Sequence, residues 1–358
     1  MDTASSLVWY PCALNKLPYA EPTNMSIFDP GLSSSAKVLG CTNPKCGWLA
    51  NPNVNDRCQG CQTNKNNCNQ PCPPYFYMNG YASSIGVFFS ESLRFTNKAV
   101  MNDFVIGCSN TTSIWPAGVS GFGRGPGSLP AQMGIKKFSY CLVSHAFDDK
   151  AKSSELVLHT GPNTDENDIT LQYTPFHRIT EASFSVLNEY YYLSLEKISV
   201  GGVDVNVPSK YLVPESNGNG GLVVDSSSML TYMDKAVYDM VSQQFEMLKN
   251  PEYARAPADM EDEWGLKPCF IVPSKNPMDF PELTLHFEGG AEMEISMMEY
   301  FSYSDDQDLA CMSLVTSDSG DAGNAVGPSI VFGNYQQQDL YLEFDLENER
   351  LGFRDQTC

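Results

Sequence analysis

The sequence predicts a mainly β protein built from two lobes, and three observations lead to this fold class. The chain has 358 residues, which is more than a single hydrophobic core usually organises. Short segments rich in Val, Ile, Phe and Tyr alternate with turns of Gly, Pro, Asn and Asp, as strands and hairpins do. A short motif that begins with an aspartate occurs twice, which indicates two related halves.

The secondary-structure prediction consists of several strands and one clear helix. A helix is predicted at 235–248, where apolar residues recur at three- and four-residue spacing and Asp234 can cap the first turn. Gly201 and Gly202 predict a tight hairpin. The strands are predicted at 86–95, 103–107, 190–200, 282–287 and 340–345.

Composition and charge exclude several classes of protein. With 42% hydrophobic and 18% charged residues, the chain has enough apolar material for large cores. Its net charge of -21 argues against nucleic-acid or anionic-membrane partners, because both require a basic face. The same charge favours an acidic working environment, in which protonation relieves self-repulsion. No run of about 18 apolar residues is present, so we expect no transmembrane helix.

The cysteines predict a disulfide framework. Of the 12 cysteines, six lie between Cys41 and Cys72, and an even number in a loop-rich segment is typical of proteins from oxidising compartments. Cys58 and Cys61 also have the C-x-x-C spacing of zinc and redox sites. The cluster contains no His and no second C-x-x-C, so structural disulfides are favoured.

We expect the protein to enter the secretory pathway, with the cell wall, the extracellular space or the vacuole as its destination. Asn24 and Asn110 begin N-x-Ser/Thr sequons, which predict glycosylation sites. Because no signal peptide precedes the cysteines, we expect an upstream segment that this sequence does not contain.

The repeated motif predicts where the functional site lies. Residues 2–9 align without gaps on residues 225–232 with three identities, and each copy begins with an aspartate, Asp2 or Asp225. A second echo follows in the same order, at residues 119–121 and 331–333. We therefore infer a duplication with lobes at 1–175 and 176–358, each contributing one aspartate to a site between them.

Paired aspartates can hydrolyse peptide bonds without a metal or another cofactor. Two carboxylates held close together cannot both ionise cheaply, so they share one proton. The ionised oxygen then takes a proton from water while the protonated partner polarises the scissile carbonyl. None of the four His residues suggests a metal site or a Ser-His triad.

At these residues the chain resembles the pepsin-like aspartic proteases, specifically their plant, nepenthesin-like branch. The resemblance spans nearly the whole chain, and its motifs lie at 2–9, 41–72, 118–125, 138–143, 225–227, 332–338 and 345–353. It implies a bilobal all-β pepsin-like fold with two β-barrel-like lobes and a cysteine-rich insertion at about 41–72. It also implies a monomeric acid endopeptidase that acts on polypeptides.

The resemblance assigns roles to individual residues. Asp2 and Asp225 correspond to the catalytic dyad, and Ser5 and Ser228 to the residues that hydrogen-bond its outer oxygens. The supporting residues of the two motifs are Thr3, Ser5, Ser226 and Ser228. The disulfides that the family implies are Cys141–Cys358 and Cys269–Cys311.

The chain departs from the family pattern at three places. Ala4 and Ser227 replace the glycines of the two motifs, which keeps the N–H donors but adds a Cβ. The tyrosine of the flap, a hairpin that closes over substrate, aligns with Asn79, although Tyr77 or Tyr81 can replace it on the same strand face. The hydrophobic strand that precedes the first aspartate in the family is absent, and a looser Asp2 would cost activity.

These features lead to two functional hypotheses. The first is an acid endopeptidase, which the retention of both aspartates favours. The second is a catalytically impaired relative that binds a polypeptide or enzyme partner, as pepsin-like inhibitors of plant cell-wall enzymes do. The altered glycines and flap favour the second hypothesis.

Overall fold

The computed structural model describes most of the chain, in two compact units. The units comprise Met1–Ile135 and Lys136–Cys358, and the lobe boundary after residue 175 stays a prediction. The described residues are 1–12, 27–48, 57–63, 68–79, 82–95, 100–113, 118–144, 153–161, 170–182, 184–273, 278–304, 306–316 and 326–358.

The first unit is built around one five-stranded sheet. Its order is β1-β5-β4-β2, with β3 also paired to β4, and β1 runs parallel to β5. The strands are β1 (Trp9–Pro11), β2 (Lys37–Val38), β3 (Tyr75–Asn79), β4 (Ala82–Arg94) and β5 (Val100–Ser113). The helices are a 3-10 turn (Pro44–Gly47), α1 (Gln59–Thr63) and α2 (Leu129–Met133). The antiparallel pair β4–β5 includes both strands that the sequence predicts in this unit.

Disulfides hold the cysteine-rich segment together. Cys58 and Cys61 bond to different partners, so the C-x-x-C spacing belongs to neither a metal site nor a redox pair, and the prediction of structural disulfides is confirmed. The bonds of this unit are Cys12–Cys108, Cys41–Cys58, Cys46–Cys72 and Cys61–Cys68. Cross-links of this kind stabilise a loop-rich segment mainly by restricting its unfolded state.

The described strands of the second unit form four sheets. Their orders are β11-β10-β16-β17, β20-β13-β21-β12-β9, β14-β15-β19-β18 and β7-β6-β22-β23-β8. The strands are β6 (Lys137–Cys141), β7 (Leu156–His159), β8 (Gln172–Pro175), β9 (Tyr192–Leu193), β10 (Leu195–Val200), β11 (Val203–Val205), β12 (Leu222–Val224), β13 (Thr231–Met233), β14 (Ala254–Arg255), β15 (Cys269–Ile271), β16 (Leu283–Phe287), β17 (Glu292–Ile295), β18 (Phe301–Ser304), β19 (Leu309–Met312), β20 (Leu314–Thr316), β21 (Ile330–Phe332), β22 (Leu340–Asp345) and β23 (Arg350–Asp355). The mainly β fold class is confirmed.

Short helices connect these strands. The predicted helix is α4, whose Asp234 carboxylate accepts a hydrogen bond from the Ala236 N–H at 2.8 Å. The helices are α3 (Ser209–Leu212), α4 (Lys235–Leu248), α5 (Ala258–Trp264) and α6 (Met297–Tyr300), with 3-10 helices at Ser185–Glu189 and Asn334–Gln337. Gly201 and Gly202 have φ of 58° and 73° in the β10–β11 hairpin, as predicted. Within the described residues, no helix is long and apolar enough to cross a membrane.

An aromatic cluster forms the core between β6 and β22. Phe138 and Phe344 stack with ring centroids 4.5 Å apart, and Tyr191 and Phe176 pack on Phe344 at 4.9 and 6.0 Å. Phe344 is fully buried. Since aromatic side chains bury more apolar area than most others, this cluster is a main source of stability for the unit.

We expect Phe344→Ala to destabilise the protein by about 3 to 5 kcal/mol, because it removes buried contacts and leaves a cavity. Chemical denaturation followed by near-ultraviolet circular dichroism measures the loss. Phe184→Ala is the matched control, since Phe184 is 59% exposed and its truncation should change stability by at most about 0.5 kcal/mol. Equal losses for the two variants would contradict the role of the cluster.

Candidate active site

Asp2 lies in a buried loop that is held by a second loop of the same unit. Its N–H donates to the Ser120 carbonyl at 3.0 Å, and its carbonyl accepts from the Phe122 N–H at 2.7 Å. Gly121 lies between these partners, and a Cβ there would lie 2.6 Å from the carbonyl oxygen of Leu7. Only glycine permits this close backbone approach, so the first copy of the 119–121 echo has a packing function.

The second unit builds the same arrangement around Asp225. The Asp225 N–H donates to the Phe332 carbonyl at 3.0 Å, and the Asn334 N–H donates to the Ser228 carbonyl at 2.7 Å. A Cβ on Gly333 would lie 2.3 Å from the Leu230 carbonyl carbon. Both copies of the aspartate motif therefore pack against their own copy of the second echo.

Two donors hold the carboxylate of Asp2. The Ala4 N–H donates to Oδ1 at 2.9 Å, so the residue that replaces glycine still supplies its backbone donor. The Tyr77 hydroxyl, on β3, donates to Oδ2 at 2.8 Å. Tyr77 is buried and its ring lies 5.8 Å from the Trp9 ring. The carboxylate thus receives one donor from its own loop and one from the hairpin.

The other two flap candidates have different locations. Asn79 is the last residue of β3, while Tyr81 lies outside the described residues. Among these three candidates, Tyr77 is the one whose contact with an aspartate the structure describes.

Two serine hydroxyls donate to the carboxylate of Asp225. Ser227 donates to Oδ1 through its N–H at 2.8 Å and through Oγ at 2.7 Å. Ser228 donates to Oδ2 through Oγ at 2.7 Å. Hydrogen bonds to a carboxylate are short and stronger than those between neutral groups. The hydroxyl of Ser227 therefore adds a donor that a glycine at this position would lack.

The remaining supporting residues of the two motifs make other contacts. Thr3 is fully buried. The Ser5 hydroxyl accepts a hydrogen bond from the Leu7 N–H at 3.2 Å, whereas its counterpart Ser228 bonds to the carboxylate. The Ser226 carbonyl accepts from the Asn334 side chain at 3.2 Å. These residues shape the loops around the aspartates.

The sequence analysis assigned no role to Gln337, whose side chain is hydrogen-bonded to the Asp225 loop. Its Nε2 donates to the carbonyls of Phe332 at 2.7 Å and Asp225 at 3.3 Å. Its Oε1 accepts from the Tyr140 hydroxyl at 2.7 Å. Burial raises the pKa of Tyr140 well above its usual value, and the nearby charge of Asp225 adds to the effect. The three consecutive glutamines at 336–338 were the sequence signal for such a role, because a buried side-chain amide needs hydrogen-bond partners.

The structure also locates the predicted covalent features. Cys141 is bonded to Cys358 and Cys269 to Cys311, the two pairs that the resemblance implies. Among the sequons, Asn110 lies in β5 and Asn24 lies outside the described residues. Within the described residues, no group of three or more His, Cys, Asp or Glu side chains could hold a metal ion.

Two family models match the chain and together span most of it. Residues 1–158 match the model described as xylanase inhibitor N-terminal, and residues 190–355 match xylanase inhibitor C-terminal. One solved structure, the crystal structure of edgp, superimposes with a TM-score of 0.71 at 20% identity and covers 99% of this chain and 87% of its own. At that identity the likeness shows the fold, which is pepsin-like.

Curated relatives specify the family further. The chain is 31% identical to a probable aspartyl protease of Arabidopsis thaliana, covering 100% of this chain and 79% of the relative. It is 29% identical to aspartic proteinase nepenthesin-2 of Nepenthes gracilis, covering 100% of this chain and 74% of the relative. The chain belongs to the pepsin-like aspartic protease family, in its plant, nepenthesin-like branch.

Proposed function

We propose that the protein is an aspartic-type endopeptidase that hydrolyses peptide bonds at acid pH, with Asp2 and Asp225 as its catalytic pair. One observation carries the proposal. Each unit presents a buried aspartate in one copy of a duplicated loop, and its carboxylate accepts hydrogen bonds from a backbone N–H and from a hydroxyl. Such preorganised donors are typical of catalytic carboxylates.

In the proposed reaction the two aspartates share one proton. The ionised carboxylate removes a proton from water as the water attacks the scissile carbonyl, and the protonated carboxylate donates its proton to the carbonyl oxygen. Collapse of the tetrahedral intermediate then breaks the C–N bond and returns a proton to the leaving amine. The chemistry requires that each carboxylate keep one orientation, which the donors from Ala4, Ser227 and Ser228 support.

Tyr77 takes the role of the flap tyrosine in this proposal. Its hydroxyl bonds to Asp2, and its strand pairs with β4 in a hairpin. On the outward face of that hairpin, Phe76 and Ile85 are a cross-strand pair, and Phe76 is 63% exposed. Because successive residues of a strand point to opposite faces, this pair lies on the face opposite to Tyr77.

The same proposal covers location and partners. Six disulfides suit an oxidising compartment, so we propose the secretory pathway. Asn24 and Asn110 are proposed glycosylation sites. The protein is proposed to act as a monomer on polypeptide substrates without a cofactor.

We expect Asp2→Asn and Asp225→Asn each to lower kcat/KM for a quenched peptide by about 10²- to 10⁴-fold between pH 3 and 6, because the amide cannot exchange the proton. A statine-type transition-state mimic should inhibit the unmodified protein. Asp259→Asn is the control, since Asp259 is exposed and should leave the rate unchanged. An unmodified protein that cuts no faster than Asp225→Asn would overturn the protease proposal.

We expect Ser228→Ala to lower kcat by about 10-fold with a smaller change in KM, because the Oγ bond to Asp225 contributes about 1.5 to 3 kcal/mol of carboxylate positioning. Steady-state kinetics with the same peptide measures the effect. The control is Ser242→Ala, which removes a hydroxyl from the helix α4. If kcat is the same in both variants, Ser228 has no part in positioning the carboxylate.

A second candidate function is inhibition of a glycoside hydrolase. Both matching family models carry the description of a xylanase inhibitor. The hydroxyls of Tyr77 and Ser227 also occupy carboxylate oxygens that the hydrolytic reaction uses. A protein of this kind would bind its enzyme partner whether or not the aspartates can react.

A xylanase assay separates the two functions. The endopeptidase proposal predicts that a tenfold molar excess of the protein leaves the initial rate of a xylanase unchanged. Inhibition that persists in the Asp225→Asn variant, together with the absence of peptide cleavage, would instead establish the binding function. Bovine serum albumin at the same concentration controls for nonspecific effects.

A further inference from the structure

A pocket of about 450 Å³ in the second unit is lined by acidic side chains. The carboxylates come from β17, α6, β23 and the segments that precede β16 and β22. They are Glu282, Glu294, Glu299, Asp339 and Asp355, and we call this set the carboxylate pocket. The residues that line it, all within the described part of the chain, include no Lys or Arg.

Within the carboxylate pocket, Glu299 is a carboxyl group whose pKa is strongly raised. Burial raises its pKa to about 8, and the charges of Asp339 and Asp355 add to the shift. Tyr335, from the neighbouring 3-10 helix, faces the same group, and its pKa is raised by burial and by the Glu299 charge. Strand β18, which also packs on α6, contributes only Phe, Ser and Tyr residues.

Two other carboxyl groups of the carboxylate pocket, those of Glu294 and Asp355, also have raised pKa values. A hydrogen bond with Glu282, followed by the charge of Glu282, raises the pKa of Glu294. Burial, followed by the charge of Glu294, raises the pKa of Asp355. All three shifted groups therefore favour the protonated form in the folded protein.

The carboxylate pocket is connected by hydrogen bonds to the loop that carries Asp225. The Glu299 carbonyl accepts from Gln336 Nε2 at 2.5 Å and from the Ser313 hydroxyl at 2.8 Å. The Oε1 of Gln336 accepts from the Thr231 N–H at 2.8 Å, and Thr231 lies within the second copy of the aspartate motif, 225–232. Gln336 is buried and its Nε2 also donates to the Ser313 hydroxyl at 3.3 Å, so a shift of α6 breaks its hydrogen bond to the Glu299 carbonyl or moves the loop with it.

We propose that the carboxylate pocket is an acid sensor: it holds α6 and the Asp225 loop in their packed arrangement at acidic pH and loosens them as the pH approaches neutrality. Repulsion among five carboxylates supplies the force, since the described residues that line the pocket include no Lys or Arg to offset it. The bridge through Gln336 transmits the displacement. The sensor adds a pH limit that is separate from titration of the catalytic pair.

The direction of the pH dependence follows from the raised pKa values. A group that is protonated more readily in the folded state stabilises that state fully below its unfolded pKa of about 4.5. This stabilisation is lost as the pH rises towards about 8, the folded pKa of Glu299. The second unit should therefore lose stability between about pH 4.5 and 8.

Glu299→Gln tests the sensor, because the amide mimics the protonated carboxyl at every pH. We expect the Tm of the wild-type protein to fall between pH 5 and pH 8 by about 3 to 6 °C more than that of Glu299→Gln. Glu252→Gln is the matched control, since Glu252 is exposed outside the pocket, and it should follow the wild type. The measurement needs no catalysis, so its outcome is independent of the protease proposal.

Hydrogen exchange tests the connection to the Asp225 loop. Corrected for intrinsic rates, exchange of the 226–236 segment should rise about 10-fold between pH 5 and 8 in the wild type and less than about 2-fold in Glu299→Gln. Asp355→Asn, a change at the rim of the pocket, should shift both measurements in the same direction by a smaller amount. Identical pH slopes in the wild type, Glu299→Gln and Asp355→Asn would overturn the sensor.

Discussion

The close contact between each aspartate loop and a glycine determines the geometry of the candidate site. Gly121 and Gly333 lie so near the neighbouring backbone that a Cβ would overlap it. This contact lets the aspartate N–H groups pair with Ser120 and Phe332, which fixes the direction of each carboxylate. A parallel bridge between Asp2 and Gly121 in the first unit and the parallel pairing β12–β21 in the second bring the two segments together, because parallel pairing places distant parts of a chain side by side.

The two carboxylates differ in the origin of their donors. Asp225 takes the hydroxyls of Ser227 and Ser228 from its own loop, so these donors are local in sequence. Asp2 takes the hydroxyl of Tyr77 from a hairpin strand, so its environment depends on the position of that hairpin.

Much of the site was predictable because it is local or repeated. The duplicated motif identified Asp2 and Asp225, and the backbone donors of Ala4 and Ser227 follow from their place in it. Tyr77 could not be chosen over its neighbours by alignment, since residues two apart on a strand share a face. Neither the role of Gln337 nor the carboxylate pocket could be predicted, because their partners are distant in sequence.

By itself the sequence determined the mainly β class, the two aspartate motifs, the disulfide character of the cysteines and the helix at 235–248, since each follows from periodicity, repetition or composition. The tertiary structure decided which hydroxyl reaches which carboxylate, how the cysteine-rich segment is connected, and how five carboxylates come to share one pocket. Those outcomes depend on strand pairing between distant segments. Such pairing sets distances that no local pattern of residues contains.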